Sequence, residues 1–385
     1  MKVFAIITFA LSLPFAGGCG LSPSTGTPPP AAKTPTLEVI LTGLDNPRGL
    51  VFGPAGEFFV AEAGTGYASV DPTKMTGKLT KFNDLNSDGD FDDGGEVERW
   101  FTFLPTYNAL QVFVTGRDEV NGPGDVLLHP DGRLFLTVDG GFDELALYEI
   151  SPEGHIGRNL ADRSNMNGIA FAPDRERIYA VESTANRLIE VGLGGELREI
   201  VAFPLLDSGQ QAVPAGLAVD PRSGELLVAL FSGAAIDEET GETIPFVPGD
   251  SKVVRVNPET GRISDEITGL TTCVDVAVDN AGNVFVVEMA SAYADALPRL
   301  FDLFDPEAPP LHGGYRRFSG RVTLYPAGGG APRLLAGGLD MPTNITLGPD
   351  GALYVSTGQG TPGRPIPGPN GPTRIVGQII RIKDF

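Results

Sequence analysis

The chain has 385 residues, 41% of them hydrophobic, with 51 Gly, 33 Pro, a formal net charge of -21 and a pI near 4.5. That apolar content supports a large packed core and excludes global disorder, and the Gly and Pro counts point to many turns. The acidity excludes a nucleic-acid binder that tracks phosphates and excludes electrostatic docking on anionic lipid, since both need a basic face.

Residues 1–19 read as an export signal. Lys2 precedes an apolar run from Val3 to Leu13, and small residues follow up to Cys19. The run is too short for a comfortable membrane span. Small residues directly before Cys19 are similar to a bacterial lipobox, although Ala16 stands where that pattern prefers Leu. Cys19 is therefore the expected lipidation site, in a periplasmic or cell-surface lipoprotein; the alternative is a soluble secreted protein. Residues 20–36 are rich in Ser, Thr and Pro and read as an extended tether. The only other cysteine, Cys273, sits in an apolar stretch and reads as a buried thiol, so no internal disulfide is expected.

Residues 37–385 carry one pattern six times. It begins at Gly49, Asp125, Gly168, Gly216, Asp275 and Asn344, each opening a short alternating strand that ends in a tight turn. A second apolar strand follows each turn: Phe58–Ala61, Leu134–Val138, Ile178–Val181, Leu226–Ala229, Val284–Val287 and Leu353–Ser356. Third strands are expected at Lys78–Phe82, Leu147–Ile150, Leu188–Val191, Val253–Val256, Val322–Tyr325 and Ile379–Ile382, with a fourth in most units. Four short antiparallel strands per repeat predict an all-β fold, a six-bladed β-propeller. Leu37–Leu44 reads as a fourth-type strand and the chain ends after a third-type strand. The N-terminal strand is thus expected to join the last blade, closing the ring without a free edge. A monomer is expected.

Long segments follow the second strand in four units, at Ala63–Thr76, Ser232–Asp250, Ala290–Gly320 and Gly358–Gly377, whereas first-to-second turns are all tight. Loops of that length concentrate function, so this face is the candidate for binding. Glu62, Glu182 and Glu288 end second strands there, with Asp139 one step on. The segments leading into first strands supply Asn46, Arg48, Asn121, Asn165, Asn167 and Asn344. Asn and Glu around a tunnel mouth suit a cation or a sugar-like ligand. The same residues equally suit capping strand ends and pairing with backbone groups.

A separate motif lies between the third and fourth strands of the first unit, on the tight-turn face: Asp84, Asn86, Asp88, Gly89, Asp90 and Asp92, followed by Asp93 and Glu96. Oxygens at alternating positions with a Gly for the sharp turn are the pattern of a calcium loop, with Glu96 one residue later than the usual acidic ligand. A Ca²⁺ ion there would be structural; a solvated acidic turn is the alternative.

The segment Gly43–Gly64 resembles the opening of the ScyD/ScyE family, and Pro342–Ser356 and Gly320–Tyr325 resemble its later blades. That family, with NHL-like repeats, implies an exported propeller and offers no agreed catalytic residues. Asn167–Asp174 is similar to a blade of the gluconolactonase-like propellers. There a Glu, two Asn-type positions and an Asp bind one divalent ion that activates water. Asn167 matches one ligand and Glu62 is a candidate for another, but Ala215 stands where the Asp is expected. Quinone-dependent sugar dehydrogenases share the fold and need a catalytic His, for which His312 is the one candidate on the long-loop face. Three readings result: an extracytoplasmic propeller binding a small molecule, a glycan or a protein; a metal-assisted hydrolase or lactonase; and a quinone-dependent oxidoreductase. No catalytic residue is assigned.

Overall fold

The computed structural model describes residues 33–385 except 68, 70, 92, 109–117, 140–144, 162–164, 234–246, 294–310 and 313. Cys19 and Asp92 lie outside the described residues. Six four-stranded antiparallel sheets succeed one another along the chain. Blade 1 is β2 (Pro47–Phe52), β3 (Phe58–Glu62), β4 (Gly77–Phe82) and β5 (Val97–Leu104). Blade 2 is β8 (Pro123–Leu128), β9 (Leu134–Asp139), β10 (Leu145–Ile150) and β11 (Ile156–Ala161). Blade 3 is β12 (Met166–Phe171), β13 (Arg177–Glu182), β14 (Arg187–Gly192) and β15 (Leu197–Ala202). Blade 4 is β16 (Pro214–Val219), β17 (Leu226–Leu230), β18 (Ser251–Val256) and β19 (Ile263–Leu270). Blade 5 is β20 (Cys273–Val278), β21 (Val284–Glu288), β24 (Gly320–Tyr325) and β25 (Arg333–Leu339). Blade 6 joins β26 (Asn344–Leu347), β27 (Leu353–Thr357) and β30 (Gly377–Lys383) to the first strand of the domain, β1 (Thr36–Leu44).

The β1–β30 register runs from Thr36 opposite Lys383 to Leu44 opposite Gly377. The ring therefore closes through the N-terminal strand, as the permuted repeat requires. Three two-stranded ribbons sit in the long connections: β6 (Tyr107–Asn108) with β7 (Val120–Asn121), β22 (Leu311–His312) with β23 (Tyr315–Arg316), and β28 (Pro365–Gly368) with β29 (Gly371–Arg374).

Strand position within a blade explains its composition. Second strands are covered by a neighbouring blade on each face, so β3, β17, β21 and β27 are buried at every residue and are mostly apolar, with a polar residue closing β3, β21 and β27. Outer strands face water, and β15 is exposed or half-exposed throughout. The core is correspondingly divided into wedges between adjacent blades. Tyr179 and Val181 of blade 3 meet Leu217 and Val228 of blade 4, while Leu50 and Phe58 of blade 1 meet Tyr354 and Ile379 of blade 6.

The acidic loop belongs to that last wedge. Phe91 stacks on Phe58, with centroids 5.3 Å apart, and its N–H donates to the Ile40 carbonyl of β1 at 3.3 Å. The loop thus fastens blade 1 to the closing strand.

Candidate functional site

The innermost strand of a blade does not run straight into its partner. In blades 1 to 5 the register of the first strand with the second slips where the strand begins: between Pro47 and Leu50, Pro123 and Val126, Met166 and Ile169, Pro214 and Leu217, and Cys273 and Asp275. An extra residue in one strand kinks it and re-aims its side chains. The bulged residues turn toward the ring axis and line one cavity of about 390 Å³ on the long-loop face. All six blades contribute, at Arg48, Gly124 and Asp125, Asn167 and Gly168, Ala215 and Gly216, Val274 and Asp275, and Thr343 and Asn344. The second-strand ends and loops add Phe231, Met289, Tyr315 and Gln359. Phe231 and Tyr315 form an edge-on aromatic pair with centroids 5.6 Å apart.

Close approach at the axis dictates glycine. A Cβ on Gly216 would lie 2.1 Å from Oδ1 of Asp275, and one on Gly49 would lie 2.5 Å from the Asp125 Cα. The two aspartates occupy the same repeat position in blades 2 and 5, which face each other across a six-membered ring. Each clasps the next blade. Asp125 accepts from the Val126 and Ile169 N–H groups, both at 2.9 Å, and Asp275 accepts from Val276 at 2.9 Å and Ile345 at 2.8 Å. Burial pushes the Asp125 carboxyl up to about 6, and the two N–H groups pull against it. Burial also drives the Asp275 carboxyl well above the carboxylate range, with the Asp125 charge adding to it. Asp125 borders the cavity and is only partly covered, so water inside the cavity tempers its desolvation.

Of the residues singled out from sequence, Arg48, Asn167 and Asn344 line this cavity, whereas Asn46, Glu62, Glu182 and Glu288 do not. Asn46 is buried with a φ of 56°, donating to Gly64 O at 2.8 Å and accepting from Gly360 N at 2.7 Å. It ties blade 1 to the blade 6 loop. The three glutamates share a register. Glu62 lies opposite Lys78, Glu182 opposite Arg187 and Glu288 opposite Arg321. Each is buried and paired with that cation. Glu62 also accepts from Asp45 N–H at 2.7 Å and the Thr80 hydroxyl at 2.5 Å, and burial raises its carboxyl despite Lys78. These are blade-internal clasps. Asn121 reaches the site indirectly, its Oδ1 lying 3.4 Å from Arg48 Nη2. His312 pairs with Tyr315 in the β22–β23 ribbon.

The loops over the cavity are tied by ions that local sequence did not signal. Arg364 and Asp118, both nearly inaccessible, pair at 2.8 Å, and Asp118 also accepts from the Thr361 N–H and hydroxyl. Arg317 grips Asp340 with two nitrogens at 2.8 and 2.7 Å and donates to Gln359 O at 2.8 Å. The partners come from the segments flanking blades 1, 2, 5 and 6, so only the fold reveals them. Asp125 and Asp275 carried a signal, since they share one repeat position with three glycines and an asparagine. Gln359, Phe231 and Tyr315 carried none beyond their place in long loops.

The ring of residues at the start of the first strands tests the fit of a divalent ion. Its members are Arg48, Gly124, Asn167, Ala215, Val274 and Thr343. Only Asn167 offers a free-standing carbonyl oxygen, because the Thr343 hydroxyl is engaged with Pro47 O at 2.9 Å and Ser356 Oγ at 3.0 Å. Ala215 supplies no oxygen from its side chain, and Arg48 brings a fixed positive charge. Among the described residues, the one set of three or more potential acidic, His or Cys ligands within 4.8 Å of one another is Asp88, Asp90 and Asp93, in the acidic loop on the opposite face. This ring does not supply the several convergent oxygens that a hard divalent cation needs.

In the acidic loop, Asp84 accepts from Gly89 N–H at 3.0 Å and Asn86 donates to Asp88 at 2.8 Å and to Asp93 at 2.6 Å. Buried Glu96 accepts from Leu85 N–H at 2.8 Å and Asp93 N–H at 3.1 Å.

Two of the solved structures that share the architecture illustrate the likeness. One is a protein from Thermus thermophilus assigned as an oxidoreductase (glucose dehydrogenase), 17% identical, covering 91% of this chain and 100% of that one, with a TM-score of 0.51. The other is a protein of unknown function from Bacteroides thetaiotaomicron, 10% identical, covering 90% of this chain and 76% of that one, with a TM-score of 0.54. At such identities the likeness concerns the fold. No curated protein matches the chain significantly. Residues 31–275 match the family described as the SMP-30/Gluconolactonase/LRE-like region. The chain belongs to that family.

Proposed function

We propose that this chain is an exported, ScyD/ScyE-like member of the family that binds a small organic molecule in the cavity on its long-loop face. The observation that carries the reading is the cavity itself: about 390 Å³, built by the innermost strands of all six blades, five of them bulged, with an aromatic pair in its wall. That size and mixed lining are those of a small-molecule site. The ring of donors supports binding over metal-assisted hydrolysis, since Gly124 and Ala215 bring no side-chain oxygen to stand beside Asn167 in that ring. Export and anchoring through Cys19 rest on the composition of residues 1–19.

The experiment is a ligand-observed NMR screen of small polar and aromatic compounds against the mature protein and an Ala215→Trp variant. Compounds that bind the wild type, compete with one another and are lost in the variant support the reading. Binding that Ala215→Trp leaves intact, in a variant of unchanged melting temperature, refutes it.

The acidic loop supports a second, structural role for a cation. Three carboxylates converge there, and the loop fastens the closing strand through Phe91. Calcium would hold that joint rather than take part in chemistry.

A further inference from the structure

Arg48 is the one cationic side chain among the described residues that line the cavity. Its Nη2 donates to Val120 O at 2.6 Å and contacts Asn121 Oδ1 at 3.4 Å. Its Nε is out of reach of solvent and has no acceptor, and Nη1 finds none among the described residues. Glu119 and Asp139 are near enough to favour its charge, yet no carboxylate of the described residues pairs with it. A half-buried cation without an ion pair leaves electrostatic demand in the cavity wall. Gln359 supplies the complementary vacancy. Its Nε2 donates to the same Val120 carbonyl at 3.2 Å, which fixes the amide orientation, and its Oε1 is buried without a donor. Gln359 is 3% exposed. A donor-rich cation and an orphaned acceptor thus meet beside one carbonyl.

Resting on the cavity reading above, we infer that Arg48, in place of a divalent ion, is the cationic anchor of this site, and that its ligand is a small organic carboxylate carrying a hydroxyl or N–H donor next to the acid, the carboxylate on Arg48 and the donor on Gln359. An amine alone would meet the guanidinium as a like charge. A carboxylate without the neighbouring donor would leave Gln359 Oε1 unpaired. Burial raises the Asp275 and Asp125 carboxyls, which tempers the negative charge that these two and Glu119 bring to the cavity lining. Phe231 and Tyr315 offer the apolar remainder an edge-on wall.

The test uses mandelate and phenylacetate, which differ by the 2-hydroxyl, titrated calorimetrically into the mature protein with excess EDTA present. Mandelate is expected to bind saturably without any divalent ion and more tightly than phenylacetate. Arg48→Gln is expected to weaken both acids by at least about tenfold, while Arg48→Lys retains part of the affinity. Gln359→Leu is expected to erase the advantage of mandelate over phenylacetate. Melting temperatures near the wild type confirm that the variants fold. The inference is overturned if binding requires added Mn²⁺ or Ca²⁺, if Arg48→Gln leaves both affinities unchanged, or if neither acid binds. A neutral compound that binds and is blocked by Ala215→Trp would in that last case preserve the cavity as a site and remove only the role of Arg48.

Discussion

Replacing Asp125 by Asn isolates what it costs to hold a carboxylate at the centre of the ring. Burial raises this carboxyl from an ordinary 3.8 to about 6. The folded state therefore binds more protons than the unfolded state between those values. The stability contributed by the neutral acid is full below pH 3.8, is lost as pH rises through about 6, and stays lost above it. The difference between the two values corresponds to about 3 kcal/mol, an upper figure because water in the cavity screens the charge. Asn keeps one acceptor for the N–H groups of Val126 and Ile169 and loses the other, at about 1–2 kcal/mol at every pH. Asp125→Asn is thus expected to destabilise the protein by about 1–2 kcal/mol at pH 4 and to stabilise it by up to about 1–2 kcal/mol at pH 8. Removing the Asp125 charge also lowers the Asp275 carboxyl, which adds to the gain at the alkaline end. Urea unfolding of both proteins at the two pH values measures the swing. A stability difference that is the same at pH 4 and pH 8 would refute the reasoning, whatever its sign.

Phe91→Ala removes the ring that joins the acidic loop to Phe58 and the closing strand, and is expected to cost about 3–5 kcal/mol in denaturant unfolding. Asp118→Ala deprives the buried Arg364 guanidinium of its carboxylate and Thr361 of an acceptor; a local loss of about 3–5 kcal/mol should appear as faster amide exchange in residues 361–375 with the blades unchanged. Calcium titration is expected to raise the melting temperature of the wild type and leave an Asp84→Ala/Asp88→Ala variant unmoved. An equal response in both would place the ion outside the loop.

The architecture was legible because each blade repeats the same requirement. A second strand buried on both faces must be mostly apolar, and a tight turn must precede it, so six copies of one pattern declare six blades. Closure was legible for the same reason: Leu37–Leu44 has the composition of an outer strand and its partner strand lies at the other terminus. The site was only partly legible. Arg48, Asn167 and Asn344 were found by position, but so were Asn46, Glu62, Glu182 and Glu288, which the fold spends on clasps. What separates the two groups is the bulge at the start of the innermost strand, which turns Arg48 and Asn167 to the axis while the glutamates stay in flat register opposite Lys78, Arg187 and Arg321. Those cations were visible in the sequence, one at the same register point of each of three blades. The pairing of Asp118 with Arg364 joins residues more than half the domain apart in sequence, and no local pattern encodes it.

The central claim is that the innermost strands of six blades, five of them bulged, build a ligand site around the axis. A crystallographic fragment soak of the mature protein tests it most directly. The account predicts that bound fragments cluster in the axial cavity, with acidic ones against Arg48 and aromatic ones against Phe231 and Tyr315. Fragments that gather on the outer blade edges or the acidic loop, leaving the cavity to water, would contradict it.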